Sequence, residues 1–417
     1  MEDIAEKNGA HFMNICSGNK IYEEYFNHVK QLQIVILITG GRTGSDFFQS
    51  LTDGHTEILQ LPGIFQYHCE FWIRSVCKSN LNDLINEFVY HPNHISKFKS
   101  IYNKMERWDQ LGEGKNECFE VDIVKFKEHL FNIMENRPIN SKNFFIAIHI
   151  AYALTIGSDV FKTKILLYHL HHMERLAFFK DDFPDFFVIY TVRDPRNNLV
   201  SGIDNWRLYD DKKYTSAHLY AYLNRIIEEI FPVQSYCPIN KIKTLPLENL
   251  HKKSKDVMQE FCNDFGLTFQ DCLLYSTYHG KQWWGDLVSQ KYLKGFNRNI
   301  DAIKWNGKFF LYEEMVLEFI LYPRLNHYGY KIFHNQSVFS YLLIPLMIVC
   351  PMKYEIAIFT HGFTNSKLLR TKARILMQSF SHYFLRVLLY YRYFYKRLNK
   401  SLVLPDFYGN VRNEHNH

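Results

Sequence analysis

The chain has 417 residues, of which 47% are hydrophobic, so it is long enough to bury a sizeable core in one domain or several. Its net charge of +6 is mild and no basic cluster precedes the C-terminal region, which argues against a nucleic-acid partner. The eight cysteines form no CxxC pair and no zinc-site spacing, which favours reduced thiols. The polar, acidic N-terminus predicts neither a signal peptide nor a membrane anchor there, and we expect a cytoplasmic protein.

The first informative segment is the apolar run Gln33–Thr39, which ends in the turn sequence GGRTGS. The run is short, β-branched and free of polar residues, which predicts a buried strand. Ser45 and Asp46 are typical of a helix start, and the helix should continue to Gly54. A strand that enters a helix through a glycine-rich turn forms an anion site, because successive N–H groups point at one place. The turn lacks a GK[ST] ending, so hydrolysis of a magnesium nucleotide is not implied.

The next 120 or so residues alternate between short strands and a long helical stretch. Glu57–Leu61 and Lys164–His169 are predicted strands, and residues 68–143 read as a helical cap or substrate-lining insertion. The sequence LLYHLHHMERL places histidines at 169, 171 and 172. If this strand stays extended, His169 and His171 share one face, because side chains alternate along a strand.

The second informative segment is the strand-like run Phe186–Val192, followed by RDPRNNLVS. Arg193 would stand at the end of a buried strand, where an unpaired guanidinium is costly. It must therefore meet an anion, either a protein carboxylate or a ligand phosphate. Pro195 suits the first turn of the following helix. Ser201 falls about two turns into that helix, so its hydroxyl is expected to face the same anion.

The remaining elements complete the alternation of strands and helices. They are a helix at Ala217–Phe231, a strand at Lys241–Leu247, a helix at Lys255–Phe265, a loop over 277–298 and a helix at Met315–His327. Strands that alternate with helices predict an α/β fold with a doubly wound parallel sheet flanked by helices.

The last eighty residues differ in composition. Val338–Met352 is an apolar run of about 15 residues, short of the roughly 20 that span a bilayer. Ile356–Pro405 contains no Asp or Glu, whereas Lys and Arg recur throughout. We therefore predict an α/β domain over 1–335 and a basic, hydrophobic helical extension over 336–417. The extension suits an anionic membrane surface, which we favour, or alternatively a polyanionic glycan or partner.

The order of the two turn motifs resembles the sulfotransferases that use 3′-phosphoadenosine 5′-phosphosulfate (PAPS). GGRTGS resembles their 5′-phosphosulfate loop in the Arg-containing form of carbohydrate-type and bacterial members, and RDPRNNLVS resembles their 3′-phosphate motif. The resemblance covers roughly residues 33–330. It implies a P-loop-like α/β fold, PAPS as cofactor, adenosine 3′,5′-bisphosphate as product, and no metal.

The resemblance also implies roles for individual residues. Arg42 matches the basic residue that contacts the bridging oxygen, and Arg193 and Ser201 match the 3′-phosphate ligands. Asp194 and Arg196 would hold the turn. The residues implied to hold the 5′-phosphate are Gly41, Arg42, Thr43, Gly44 and Ser45, and a late basic loop would add Lys294, Gly295 and Arg298.

The general base is left with three candidates. One branch of the family carries a catalytic His in a K-x-H-L-P strand ahead of the 3′-phosphate Arg, and His169 and His171 fall in that window, although the Pro is absent. Carbohydrate-type members often use a Glu after the first helix, and Glu70 is the nearby carboxylate. We rank His171 and His169 ahead of Glu70.

The predicted function is transfer of a sulfuryl group from PAPS to a hydroxyl of a carbohydrate or lipid-linked glycan. Transfer would be in line, with cationic groups stabilising the charge on the oxygens. The predicted location is cytoplasmic, peripheral at the inner face of the membrane. The alternative is a P-loop-type nucleotide-binding module or a small-molecule kinase; the missing Walker lysine argues against the kinase.

Overall fold

The computed structural model describes residues 20–65, 67–75, 80–103, 109–171, 173–209, 215–285, 296–297, 299–300, 302–334 and 338–410. Three of the predicted cofactor ligands, Lys294, Gly295 and Arg298, lie outside the described residues.

A five-stranded parallel sheet forms the centre of the fold. Its strands are β1 (Gln33–Thr39), β2 (Ile58–Gln60), β3 (Ile165–Leu170), β4 (Phe187–Val192) and β5 (Ile242–Pro246), in the order β2-β3-β1-β4-β5. β3 pairs in parallel with both β1 and β2, so that Leu166 lies opposite Ile34 and Leu59. The strands are almost wholly buried, as their uninterrupted apolar sequences require. The prediction of a doubly wound parallel α/β sheet is confirmed.

Helices connect the strands and flank the sheet. In chain order they are α1 (20–30), α2 (Ser45–Leu51), α3 (Trp72–Ser75) after a π-helical turn at Tyr67–Phe71, α4 (Leu81–Tyr90), α5 (Pro92–Phe98), α6 (Ile123–Met134), α7 (Ser141–Thr155), α8 (Leu176–Asp182), α9 (Pro195–Tyr209), α10 (Ser216–Glu228), α11 (Leu247–Lys252), α12 (Ser254–Asp264), α13 (Leu311–His327), α14 (Val338–Ile348), α15 (Lys353–Asn365) and α16 (Leu369–Leu398).

One predicted loop contains a small hairpin instead. β6 (Thr277–Tyr278) and β7 (Lys281–Gln282) pair antiparallel across His279 and Gly280. Both turn residues have positive φ, +51° and +70°, as the favoured two-residue hairpin turn requires. The prediction of an irregular loop was wrong at this point, because two-residue strands leave no alternating apolar pattern in the sequence.

The chain divides into two compact units. The first contains the chain up to Ile38, Ser45–Ile189 and Lys253–Phe296; the second contains Thr39–Gly44, Tyr190–Lys252 and the chain from Asn297 onward. The helices of residues 68–143 belong to the first unit. The second unit has an apolar core to which α9, α10, α13 and the C-terminal helices α14–α16 all contribute.

One described stretch, Tyr341–Asn365, is long and apolar enough to cross a membrane, judged by length and composition alone. Only 28% of its most apolar window is buried inside the protein. The stretch begins inside α14 and runs to the end of α15, with a break between Ile348 and Lys353.

Candidate anion-binding site

The turn after β1 is held in a left-handed backbone conformation. The φ angles of Gly41, Arg42 and Gly44 are +82°, +56° and +87°. Glycine adopts this conformation without steric penalty, and Arg42 is the non-glycine exception. A Cβ at Gly44 would lie 2.3 Å from Leu247 Cδ1, so a side chain there would displace Leu247. The shape of the turn therefore depends on glycine at position 44.

A chain of hydroxyls ties this turn to the end of β4. Thr43 Oγ1 lies 3.0 Å from Thr39 Oγ1 and 2.7 Å from Thr191 Oγ1, and the Gly41 N–H donates to Thr39 Oγ1 at 2.9 Å. Thr43 is buried. These bonds give Thr43 and Gly41 partners within the protein, and their predicted role as phosphate ligands stays a prediction.

Arg193 is the residue that most clearly needs a ligand. It directly follows β4 and is only 5% exposed. Its Nε and Nη2 atoms have no hydrogen-bond partner within the described part of the chain. Burial lowers the pKa of Arg193, the nearby Glu248 raises it, and the nearby Arg42 lowers it further. A buried guanidinium with unsatisfied nitrogens beside a second guanidinium is an anion-binding arrangement.

Glu248 is the nearby carboxylate, and its hydrogen bonds go elsewhere. It accepts from the Asp194 N–H at 3.1 Å and from the Tyr330 hydroxyl at 3.0 Å. Burial raises its pKa, and the donor at Asp194 and the charge of Arg193 oppose that rise. Glu248 thus holds the turn after β4 in place.

His251 lies in the same neighbourhood but carries no charge near neutral pH. Burial, and then the charge of Arg193, lower its pKa to about 4. Its Nδ1 accepts from the Asn297 N–H at 3.1 Å, which fixes the proton on the other ring nitrogen. The neutral ring therefore adds no positive charge beside Arg193.

Two further residues, Tyr222 and Arg225, border the turn from α10, and sequence reasoning missed both. Arg225 Nη2 donates to the Thr39 carbonyl at 3.0 Å, and the Tyr222 hydroxyl donates to Asn198 Oδ1 at 2.7 Å. The absence of a side chain at Gly202 gives Tyr222 its place, since a Cβ there would lie 2.1 Å from the ring. The amphipathic pattern predicted α10, but nothing in it distinguishes Arg225 from any other basic residue in a last helical turn.

Asp194 and Arg196 hold the turn, which is the role that the family resemblance implied for them. Asp194 Oδ1 accepts from the Arg196 backbone N–H at 2.9 Å, and the Arg196 guanidinium pairs with Asp194 and with Glu318. Arg196 also donates to the Lys331 carbonyl at 2.7 Å. This buried arginine is therefore satisfied by the protein itself.

Ser201 lies in the second turn of α9 with a half-buried side chain. Its position two turns into the helix agrees with the sequence. Its role as a phosphate ligand stays a prediction.

The candidate bases lie in the first unit. His169, near the end of β3, is buried, and its Nδ1 lies 2.8 Å from Gln49 Oε1. His171 follows the strand, is half-buried, and its ring centre lies 5.2 Å from that of His169. Glu70 lies in the π-helical turn at Tyr67–Phe71. The choice among the three stays a prediction.

The two turns follow neighbouring strands. β1 and β4 are adjacent in the sheet, so their carboxyl ends meet at one edge. Ligands of open α/β sheets bind outside the carboxyl ends of the strands. The residues described above form one connected cluster within the second unit. They are Thr39–Gly44, Arg193, Tyr222, Arg225, Glu248 and His251.

Comparison with known proteins gives distant structural similarity only. No protein-family model matches the chain, and no curated protein matches it. Among solved structures, it is similar to the sulfotransferase domain from the Synechococcus PCC 7002 olefin synthase, with a TM-score of 0.40 and 15% identity over 66% of this chain and 87% of that one. It is also similar to the sulfotransferase domain from the curacin biosynthetic pathway, with a TM-score of 0.39 and 12% identity over 76% of this chain and 97% of that one.

Proposed function

We propose that the protein is a PAPS-dependent sulfotransferase. The observation that carries the proposal is the buried Arg193 guanidinium, two of whose nitrogens lack a hydrogen-bond partner within the described residues. A phosphate offers the oxygen acceptors that such a group requires. The glycine turn after β1 would be the second place for an anion, as expected for a ligand with phosphate at both ends.

The residues present fit the cofactor. Arg193, with Ser201, would hold the 3′-phosphate, and Gly41–Ser45 would hold the 5′-phosphosulfate. Lys294, Gly295 and Arg298 are proposed as further ligands. The bound cofactor would supply the sulfuryl group, whereas this chain supplies position and charge.

Arg42 and a general base are the residues that we propose to take part directly in the transfer reaction. The Arg42 guanidinium would offset negative charge that develops on a leaving phosphate oxygen. His171 is our first choice to take the proton from the acceptor hydroxyl. Its half-buried side chain is more accessible than His169, which lies inside the fold against Gln49. Glu70 ranks third.

The proposed acceptor is a hydroxyl of a carbohydrate or lipid-linked glycan. Two features support it: the arginine in the glycine turn, which resembles carbohydrate-type members, and the aromatic-rich stretch 68–143, which we predict to be a helical cap. A cytoplasmic enzyme that acts at a membrane would meet lipid-linked glycans there.

Calorimetry with adenosine 3′,5′-bisphosphate tests the cofactor assignment. We expect the wild type to bind, and Arg193→Ala and Arg42→Ala to lose at least about tenfold in affinity, as for charge-assisted phosphate contacts. Arg392→Ala, an exposed arginine of the same unit, is the matched control and should bind normally. The wild type should bind adenosine 5′-monophosphate more weakly than the bisphosphate. Arg193→Ala should bind the two nucleotides equally well, because it lacks the contact to the 3′-phosphate. Absence of binding by the wild type would contradict the proposal.

Transfer of label from PAPS to a panel of glycans and glycolipids tests the reaction. His171→Ala should lose turnover and keep bisphosphate affinity, because a base acts on the acceptor and not on the cofactor. Binding of the bisphosphate without transfer to any acceptor would favour the alternative, a nucleotide-binding module. Phosphoryl transfer from ATP would favour a small-molecule kinase.

A further inference from the structure

The 30-residue helix α16 has a second apolar face that the protein does not cover. One face, with Val387, Tyr390 and Phe394, is buried in the core of the second unit. The other face carries large apolar side chains that are 53–83% exposed: Leu369, Met377, Phe380, Phe384 and Leu388. These residues recur at intervals of three, four or eight positions, so they form one stripe along the helix.

The neighbouring helices extend this apolar surface. α14 and α15 both pack against α16. α14 exposes Leu342 and Leu346, each 69% accessible, and α15 exposes Ile356 and Phe363. We call the exposed apolar residues of α14, α15 and α16 the C-terminal apolar patch. Large exposed apolar side chains on three helices that pack together are typical of a surface that meets a partner or a membrane.

The charges beside the patch are all positive along α16. Ile356–Pro405 contains no Asp or Glu. Lys367, Arg370 and Arg374 are exposed. Arg370 follows Leu369 by one residue and Arg374 precedes Met377 by three, so both lie beside the stripe. An apolar face bordered by basic side chains matches an anionic lipid surface, where the apolar residues enter the headgroup region and the basic ones meet phosphate.

We propose that the C-terminal apolar patch binds the surface of an anionic lipid bilayer, with α14, α15 and α16 lying in its plane. A second copy of the chain is a poorer occupant, because a symmetric contact would bring the same basic residues together from both copies. An in-plane position also agrees with the local structure. The apolar stretch Tyr341–Asn365 is broken before Lys353, and Glu355 in α15 pairs with the buried Arg386 of α16 at 2.9 Å.

Co-sedimentation of the full chain with vesicles tests this proposal without reference to catalysis. Vesicles of phosphatidylcholine with about one-third phosphatidylserine should bind the protein, and pure phosphatidylcholine should bind it at least about fivefold more weakly. Raising the salt concentration should weaken binding to the anionic vesicles, because screening reduces attraction to the charged surface.

Two matched variants of α16 locate the contact. Phe380→Glu introduces a charge into the stripe and should lower vesicle binding by about tenfold or more. Gln378→Glu introduces the same charge at an exposed position away from the stripe and should lower it by less than about twofold. Both substitutions are on the surface, so circular dichroism should show an unchanged fold.

Three results would overturn the proposal. One is equal binding of Phe380→Glu and Gln378→Glu to anionic vesicles. Another is failure of the folded wild type to bind them at low salt. The third is a dimer in sedimentation velocity that Phe380→Glu dissociates, since that would assign the patch to a second copy of the chain. None of these results bears on the proposed sulfotransferase activity, which is measured by bisphosphate binding and transfer.

Discussion

Two buried arginines stand three residues apart after β4 and have opposite surroundings. Arg196 is satisfied by Asp194, Glu318 and the Lys331 carbonyl. Arg193 has two nitrogens without a hydrogen-bond partner within the described residues. A protein gains no stability from a buried charge that it leaves unsatisfied, which is why we propose that Arg193 serves a ligand.

Replacing Arg193 by Met should therefore separate stability from binding. Without ligand, Arg193→Met should unfold at the same temperature as the wild type or a higher one, because it removes a buried charge while Glu248 keeps its two donors. With adenosine 3′,5′-bisphosphate, the wild type should gain stability and the variant should not. Thermal denaturation with and without the bisphosphate measures both effects. If the bisphosphate raised the unfolding temperature of Arg193→Met as much as that of the wild type, Arg193 would be ruled out as a phosphate ligand.

The same substitution at Arg196 should act in the opposite way. Arg196→Met leaves the buried carboxylate of Glu318 without its cation, and loss of one partner of a buried pair costs about 3–5 kcal/mol. Urea denaturation should show that loss as a lower midpoint urea concentration, with an unchanged dependence of the unfolding free energy on urea. Similar stabilities for Arg193→Met and Arg196→Met would contradict this division of roles.

At the scale of elements, the glycine turn after β1 depends on a close approach to α11. Gly44→Ala should lower stability and bisphosphate affinity together, because its Cβ would displace Leu247, the neighbour of Glu248. Gly54→Ala is the matched control: Gly54 has a similar φ of +76°, but a Cβ there meets nothing within 4 Å. Both variants share a backbone strain of about 1 kcal/mol. Calorimetry should show that Gly54→Ala binds the bisphosphate with wild-type affinity and that Gly44→Ala does not.

A buried glutamate joins the N-termini of α13 and α15 and makes this region sensitive to pH. Glu313 accepts from the Lys353 N–H at 3.0 Å and from the Phe310 N–H at 2.5 Å. Burial raises its pKa to about 7. Because the folded-state pKa is raised, the stability contributed by Glu313 is full below about pH 4.5 and is lost as the pH rises through about 7.

The Glu313→Gln variant tests this pH dependence. Over the interval from about pH 4.5 to 7 the wild type should lose stability relative to Glu313→Gln, which has no proton to release. Glu113→Gln, at an exposed position, should follow the wild type. Denaturant titrations at several pH values give the comparison, and parallel curves for wild type and Glu313→Gln would contradict it.

At the scale of the whole molecule, the C-terminal region completes the second unit. α16 buries Tyr393 and Phe394 in the same core as α10, which carries Tyr222 and Arg225 of the site. After α16, the chain returns to β5: the Thr244 N–H donates to the Asp406 carbonyl at 2.8 Å. The second unit therefore shares one core between the site and the C-terminal helices.

Truncation should show this dependence. A chain that ends at residue 335 should lose cooperative unfolding and bisphosphate binding, because it exposes the apolar core of α10 and α13. A chain that ends at residue 410 keeps every described residue and should behave as the full chain. Near-ultraviolet circular dichroism during thermal unfolding distinguishes the two, and a cooperative transition in the shorter chain would contradict the shared core.

The sequence predicted the elements better than their partners. β1 and β4 could be located within a few residues, because buried parallel strands read as apolar runs. The contacts that shape the site join residues far apart in the chain. Thr43 bonds Thr191 across 148 positions, and Arg196 pairs with Glu318 across 122. No local pattern encodes such pairs.

The sequence by itself determined the α/β alternation, the positions of the turns after β1 and β4, and the acid-free composition of the C-terminal region, since each depends on local spacing and composition. Only the tertiary structure decided which of Arg193 and Arg196 the protein satisfies, that Tyr222 and Arg225 border the glycine turn, and which face of α16 is left exposed. The reason is that burial and hydrogen bonding depend on neighbours from distant parts of the chain, which meet only when the sheet and helices have assembled.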